Sequence, residues 1–388
     1  MSTTEPPIVR AQTLAATIDA AVPAIESSRR LTPDVLAGLY ETGLLRLLLP
    51  RSAGGEEVHP CTYLHVVTAL AQHDGSVAWN VFVANSSALI AAFLQPEIAT
   101  EIFAHRESLV AWGPPNNCIA KATQAGYEIS GEWSFASGCR HATWMGIHCP
   151  VQGLDGELQR NQLGAPAIRT LLFPSHLASL IDNWNTIGLR GTASDGYTVA
   201  NLCINQAYSA TREDPEGRLE QGPLYAIPMQ GLYAVGVAAV AAGIARAMLD
   251  EFIELAKSKI PRGQGRLADS VSVQSQVARS EVQLSAALAW LDRVLEETYR
   301  ELEQHPVPAI DIPVRAKLRL ACSHVIQSAV DVADATYRLA GVSTIFAGNS
   351  MERRFRDIHT VSQQIQSRPS HFESIGQVLL GNPPAVFY

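Results

Sequence analysis

Three stretches of this sequence carry residue types that could do chemistry. The first, Gly131-Glu132-Trp133-Ser134-Phe135-Ala136-Ser137-Gly138, ends on a hydroxyl beside a residue without a side chain. Such a pair lets the backbone approach a planar ring closely and gives it one group that can donate or accept a hydrogen bond. Read as plain structure, the same run is a strand and turn with Trp133 and Phe135 on one core face. The second stretch, Gly188 to Ser194, is a glycine-rich turn. The third, Arg353 to His359, contains Arg356-Asp357, which taken alone is an exposed ion pair of little energetic worth. Eleven histidines show no metal spacing, and six cysteines show no CxxC pattern, so neither a zinc site nor a disulfide framework is indicated. No Gly-x-Gly-x-x-Gly follows a strand, which leaves a dinucleotide site unsupported.

The elements that must position these residues change texture twice. From about Ile8 to Phe103 apolar residues recur at helical spacing, with Thr32-Pro33 as a helix start. Between about Ala111 and Ile227, short β-branched and aromatic runs alternate with Gly and Pro turns. No helical crossover separates them, which predicts antiparallel pairing. From Gly231 onward, amphipathic segments near 231–258, 269–304 and 313–340 predict an antiparallel bundle. The expected organisation is an α+β multidomain chain: a helical domain (1–110), a central antiparallel β-barrel or sandwich (111–227) and a C-terminal four-helix bundle (228–388). A chain of 388 residues, 47% hydrophobic and 17% charged, can bury a large core. Its net charge of −8 argues against a nucleic-acid surface. The apolar stretch Tyr233–Ala245 is shorter than the roughly 20 residues of a membrane span, and MSTTEPPIVRAQ has no apolar leader core. A cytoplasmic protein without membrane contact is expected. Gly236, Ala238, Ala239, Ala241 and Ala242 allow close helix approach, either to a second copy or within the bundle.

Taken together, the three stretches resemble a known family. Gly131 to Cys139 is similar to the GxWxFxSG segment of two-component flavin monooxygenases on the acyl-CoA dehydrogenase fold. Trp184 through Gly188-Leu189-Arg190-Gly191-Thr192-Ala193-Ser194 is similar to the family's W-x-x-x-GLRGTGS turn. The RRFRDIH run from Arg353 to His359, and more weakly Asp74 to Trp79, complete the set in the family's order. The resemblance implies a homotetramer that binds reduced flavin (FADH2 or FMNH2) between the β domain and the bundle. A separate NAD(P)H:flavin reductase would supply that flavin, and O2 would be co-substrate. It implies that Ser137 faces flavin N5, where its hydroxyl would help to hold a C4a-hydroperoxide. Trp133, Phe135, Gly138 and Arg356 are then cofactor contacts, and Trp79, Trp112, Ser194 and Gln364 are pocket residues.

A dehydrogenase on this fold needs a carboxylate base to take the α-proton beside a thioester. One family position for it falls within Val361–Gln366 and the other near Tyr233. Neither holds an acid, and no Asp or Glu lies between Glu220 and Asp250. Many relatives carry a histidine where this chain has Gln364, which cannot act as a base near neutral pH. His371 and His359 are the candidate replacements. His359 lies about 500° around a helix from Gln364, off its face. Pro369 disfavours helix at Arg368, leaving His371 on or just after a loop. The order is therefore His371 before His359, unless an electron-rich ring attacks without a protein base. The expected activity is oxygenation of a small aromatic or heteroaromatic compound such as an indole or phenol. N-hydroxylation of an amine or amino sugar, a dehydrogenase-like activity and a catalytically silent flavin binder are the alternatives.

Overall fold

The computed structural model describes residues 5–384 except 115, 162, 163, 213 and 308. Met1–Thr4, at the start of the segment read as lacking a leader, and Pro308, in the expected 305–313 break, lie outside the described residues.

The N-terminal part is helical: α1 (Pro7–Thr13), α2 (Ala15–Ser28), α3 (Pro33–Thr42), α4 (Pro60–His73), α5 (Gly75–Ala88) and α6 (Pro96–Ile102). Strands follow: β1 (Val110–Trp112), β2 (Ala120–Ala122), β3 (Gly126–Trp133), β4 (Trp144–Gln152), β5 (Ile168–Pro174), β6 (Ser179–Ile181), β7 (Gly196–Asn205) and β8 (Ser209–Ala210). The C-terminal part holds α7 (Met229–Ser258), α8 (Val271–Gln304), α9 (Ile312–Ala340), α10 (Ser350–Val361) and α11 (Ser370–Leu379). Among the described residues, three long helices and two short ones thus stand where a four-helix bundle was expected. The last segment is cut short because α10 ends at Val361 and the chain then runs through Ile365–Ser367 as a 3-10 turn before Pro369.

The sheet corrects the sequence reading. Its strands run β6-β7-β3-β2-β4-β5-β8, with β1 also on β4, and the end strands are not joined, so the sheet is open and no barrel forms. It is also mixed: β1 and β2 both lie parallel to β4. The antiparallel expectation assumed that a parallel return needs a helix. Here β3 and the turn through Ser137 make the return.

One buried cluster runs from Ala11 to Val361 and unites N- and C-terminal helices, while a second fills the sheet. Helix α7 sits at the centre of the first. A Cβ on Gly243 would come 2.3 Å from the Thr68 carbonyl, so α7 reaches α4 only because that position is glycine. The small residues of α7 are therefore used inside the chain: Gly236 presses on Phe82 and Tyr63, and Ala238, Ala239, Ala241 and Ala242 are fully buried. Helix α7 spans the segment expected near 231–258 and contains the 13-residue apolar stretch. By length and composition, α7 and the Gly75–Phe93 segment could each cross a membrane, yet 83% and 89% of their apolar windows are buried inside the protein. They are core helices in this fold.

Candidate active site

The site is assembled where the start of α5, the turn after β3 and the turn before β7 meet. Asp74 caps α5 by accepting from Val77 N at 2.9 Å, and its other oxygen takes a hydrogen bond from Arg353 at 2.8 Å. Ser76 Oγ accepts from Gly191 N, and Asn80 donates to the Gly191 carbonyl, which fastens the Gly188–Ser194 turn to α5. From the other side, Asp357 Oδ1 accepts from Leu189 N at 2.6 Å. A Cβ on Gly188 would lie 2.3 Å from the Arg356 carbonyl, so only glycine lets the turn approach α10 this closely. The Arg-Asp pair is thus a clamp on the turn, and burial pushes the Asp357 carboxyl up to about 7.

This scaffold aligns four side chains in a relay. Trp79 Nε1 donates to Ser137 Oγ at 3.1 Å; Ser137 and Ser194 hydroxyls are 2.6 Å apart, and Ser194 and Thr192 are 2.7 Å apart. Thr192 Oγ1 also lies 2.9 Å from the Leu189 carbonyl, which can only accept. Each hydroxyl has one proton. Thr192 gives its proton to Leu189, Ser194 gives its own to Thr192, and Ser137 gives its own to Ser194. Ser137 therefore keeps a lone pair and has no proton to offer: it presents an acceptor.

Beside it, Phe135 is 61% exposed and held at a left-handed φ of 60°, a conformation that costs a non-glycine residue energy. Its ring meets Trp184 edge-on at 6.1 Å. Trp184 is fixed by its backbone N–H on Asp195 and its indole N–H on the Leu189 carbonyl. An exposed ring held at a cost, next to an acceptor serine and Gly138 (φ 78°), suits a planar group that carries an N–H. The acceptor and the exposed ring thus fit a reduced flavin.

A second wall leads away from Ser137. Trp79 packs edge-on against Phe82 (4.7 Å between centroids), and Phe82 against Tyr233 on α7 (5.0 Å). Tyr233 is partly buried beneath this wall, hydrogen-bonds Gln364, and has its phenol pushed up to about 12 by burial. Trp112 packs edge-on against His148, with the Arg212 guanidinium 5.7 Å over its ring.

Of the residues expected from sequence, the structure brings Trp79, Ser137 and Ser194 into direct contact and connects Gln364 to them through Tyr233 and Phe82. Phe135 and Gly138 flank Ser137 in the chain, and Trp112 stands beside Arg212. Trp133 is elsewhere: it is 1% exposed, stacked on Tyr197 in the sheet core, so its expected flavin contact gives way to the bland reading. Arg356 pairs with Glu352 on its own helix and ties α10 to Glu26 and the Ile187 carbonyl. His359 pairs with Asp334 on α9 at 3.0 Å. His371, the second residue of α11, bonds the Ile365 carbonyl through Nε2, and burial lowers its pKa. The hydrogen bonds and ring contacts of both histidines lie away from Ser137, Trp79 and Tyr233. Sequence reasoning missed Thr192, Phe82, Tyr233 and Arg212. Thr192 was inside the turn motif, Phe82 is three residues from Trp79 on one helix, and Tyr233 is a lone phenol at the start of an apolar run. Arg212 had no signal.

Comparison with known proteins gives the same picture. Residues 235–369 match the family described as acyl-CoA dehydrogenase, C-terminal domain. The chain is 27% identical to indole-3-acetate monooxygenase of Acinetobacter baumannii, over 92% of this chain and 90% of that protein. It is 23% identical to the flavin-dependent monooxygenase oxygenase subunit HsaA of Rhodococcus jostii, over 86% and 87%. The solved structure of XiaF from Streptomyces sp. with FADH2 and glycerol superposes with a TM-score of 0.88 at 20% identity, covering 98% of this chain and 96% of that one. The chain thus has an acyl-CoA dehydrogenase-like fold and is similar over most of its length to oxygenase components of flavin-dependent monooxygenases.

Proposed function

We propose that this chain is the oxygenase component that uses reduced flavin and O2 to oxygenate a small aromatic or heteroaromatic compound, with an electron-rich ring of the indole type favoured over a phenol. The observation that carries the reading is the relay ending at Ser137. An acceptor at that place holds the N5–H of a reduced flavin, whereas oxidised flavin has no proton there. When bound, the flavin supplies the oxygen chemistry. The chain's own residues bind, orient and exclude water. Ser137 holds the ring nitrogen, Phe135 and Gly138 lie against the ring, and Trp79, Phe82 and Tyr233 form a dry wall for the substrate.

The preference for an indole-type ring follows from what surrounds that wall. Tyr233 stays neutral through the working pH range, Gln364 does not titrate, and neither histidine contacts the wall. A phenol gains from a base that removes its proton; an indole ring has enough electron density without one. The named substrate of the indole-3-acetate monooxygenase relative supports the same choice. We read the assembly as a homotetramer in the cytoplasm, served by a separate NAD(P)H:flavin reductase, as the oxygenase-subunit name of HsaA supports. The test is to supply electrons in two forms. The chain with NADH or NADPH and oxidised flavin should yield no product, and chemically reduced flavin should yield product from indole at once. Turnover with nicotinamide alone, or none with reduced flavin across indoles and phenols, would overturn the proposal.

A further inference from the structure

Behind Ser137 the fold leaves a small cavity of about 20 Å³, a little more than the roughly 10–15 Å³ that one water needs. Asn80 and Ala84 line it from α5, about 100° and 140° around that helix from Trp79. The cavity and the Trp79–Phe82–Tyr233 wall therefore meet α5 on different sides. Eight of the twelve described residues that line it are Leu, Val or Ala, and none is Asp, Glu, Lys or Arg. Its polar lining is Asn80, Ser137 and His141, and these groups are already engaged. Asn80 gives its amide protons to the Ser76 and Gly191 carbonyls, Ser137 bonds Trp79 and Ser194, and His141 Nε2 accepts from Leu31 N at 3.2 Å. Burial, with Arg30 and Arg140 near it, pushes the His141 imidazole down to about 4, so it is uncharged near neutral pH. A water needs two to four polar partners, and these bonds leave few.

We propose that this cavity is a dioxygen pocket, an uncharged and largely apolar place beside Ser137 from which O2 reaches the flavin on a side the ring substrate does not use. The assignment rests on the function proposed above and adds the place of the co-substrate. O2 is apolar and has no hydrogen to donate, so it leaves water readily for apolar surroundings. A volume of about 20 Å³ holds one such diatomic molecule and no aromatic ring. In the proposed reading Ser137 holds flavin N5, and the flavin carbon that reacts with O2 is bonded to N5. A cavity that ends on Ser137 and Gly138 therefore opens beside the reacting carbon. Substrate on the wall and O2 in the pocket do not compete for space.

Xenon, an apolar gas that enters dry cavities, probes the pocket without flavin or turnover. Crystals of the flavin-free chain under xenon pressure should show an atom between Ala84 and Leu109, and crystals of Ala84→Leu should not. Flavin oxidation probes its use. With substrate left out, two electrons and two protons pass from reduced flavin to O2, which leaves as hydrogen peroxide. Chain in excess over reduced flavin, mixed with O2 in a stopped-flow instrument, gives the rate. Ala84→Leu should lower that rate at least about tenfold, because O2 must now force a packed side chain aside, while the dissociation constant of reduced flavin is unchanged. Leu36→Phe narrows the cavity from α3 and should slow the same rate, which keeps the test open should Ala84→Leu fail to fold. No xenon in the wild-type cavity overturns the pocket. So does oxidation within about twofold of wild type in the folded variants, which marks a packing void only. The two readings fail separately. Oxygenated indole formed with unslowed oxidation in both variants sinks the pocket alone; slowed oxidation in both, with no oxygenated product from any indole or phenol in wild type, sinks the function alone.

Discussion

Replacing Ser194 by Ala cuts the relay at its centre and should change which redox form of flavin the chain prefers. In the intact relay, Ser137 can donate to oxidised N5 only if all three hydroxyls reverse. The Thr192 hydroxyl then withdraws from the Leu189 carbonyl, which keeps its bonds from the Trp184 indole and the Thr192 backbone N–H. The reversal costs one buried hydrogen bond, about 1 kcal/mol, so the native chain should prefer reduced flavin by about fivefold from this source. Without the Ser194 hydroxyl, the Ser137 proton turns freely and the preference disappears. The bound flavin's potential should therefore fall by about 20 mV, since about 30 mV corresponds to a tenfold ratio for a two-electron couple. The fold should survive: Thr192 keeps its bond to Leu189, and two neutral hydrogen bonds are lost at about 1 kcal/mol each. Dissociation constants for oxidised flavin, measured in air, and for reduced flavin, measured anaerobically, give the ratio. An unchanged ratio in a variant with a native melting profile would refute the assigned direction of the relay.

Other consequences follow from the same geometry. The buried Asp357 keeps its proton up to about 7 when folded, against about 3.9 for an ordinary aspartate. The folded state thus binds more protons in that window, and this group's contribution to stability is present at pH 4 and lost by pH 7. Asp357→Asn, which still accepts from Leu189, should flatten the slope of urea-unfolding stability across that window; an identical slope would contradict it. Tyr233→Phe keeps the wall and loses the Gln364 bond, so product per flavin should fall by less than about tenfold, with hydrogen peroxide rising in its place. The wild-type yield should be flat from pH 6 to 9, because the phenol titrates near 12. His359→Asn breaks a partly exposed pair with Asp334 and an edge contact with Phe355, so product yield should stay within about twofold and stability within about 1 kcal/mol; a larger loss of yield would return His359 to the reaction.

How much of this was legible in the sequence depends on whether a residue's neighbours are local. Ser137-Gly138, Trp79 and the Gly188–Ser194 turn were visible because each needs a particular residue type at a particular backbone position. The helical flanks were visible through their periodicity. The parallel pairing of β1 and β2 with β4 was not, because three-residue strands carry too little pattern to show their direction. Trp133 and Phe135 alternate on one strand and turn, and spacing could not say that the first is buried against Tyr197 while the left-handed φ turns the second outward. The histidines were candidates by position alone, and their partners, Asp334 and the Ile365 carbonyl, come from packing. Tyr233, Phe82 and Arg212 meet only after α5, α7 and the loop beyond β8 have folded together.

The central claim is that these residues direct one oxygen atom of O2 into a substrate ring. Supplying the chain with chemically reduced flavin, an indole substrate and ¹⁸O2, then weighing the product by mass spectrometry, tests it most directly. The account predicts one ¹⁸O atom per product molecule, and a sharp loss of labelled product in Ser137→Ala with peroxide released instead. Product carrying oxygen from water, or a dehydrogenated product with no new oxygen, would contradict it.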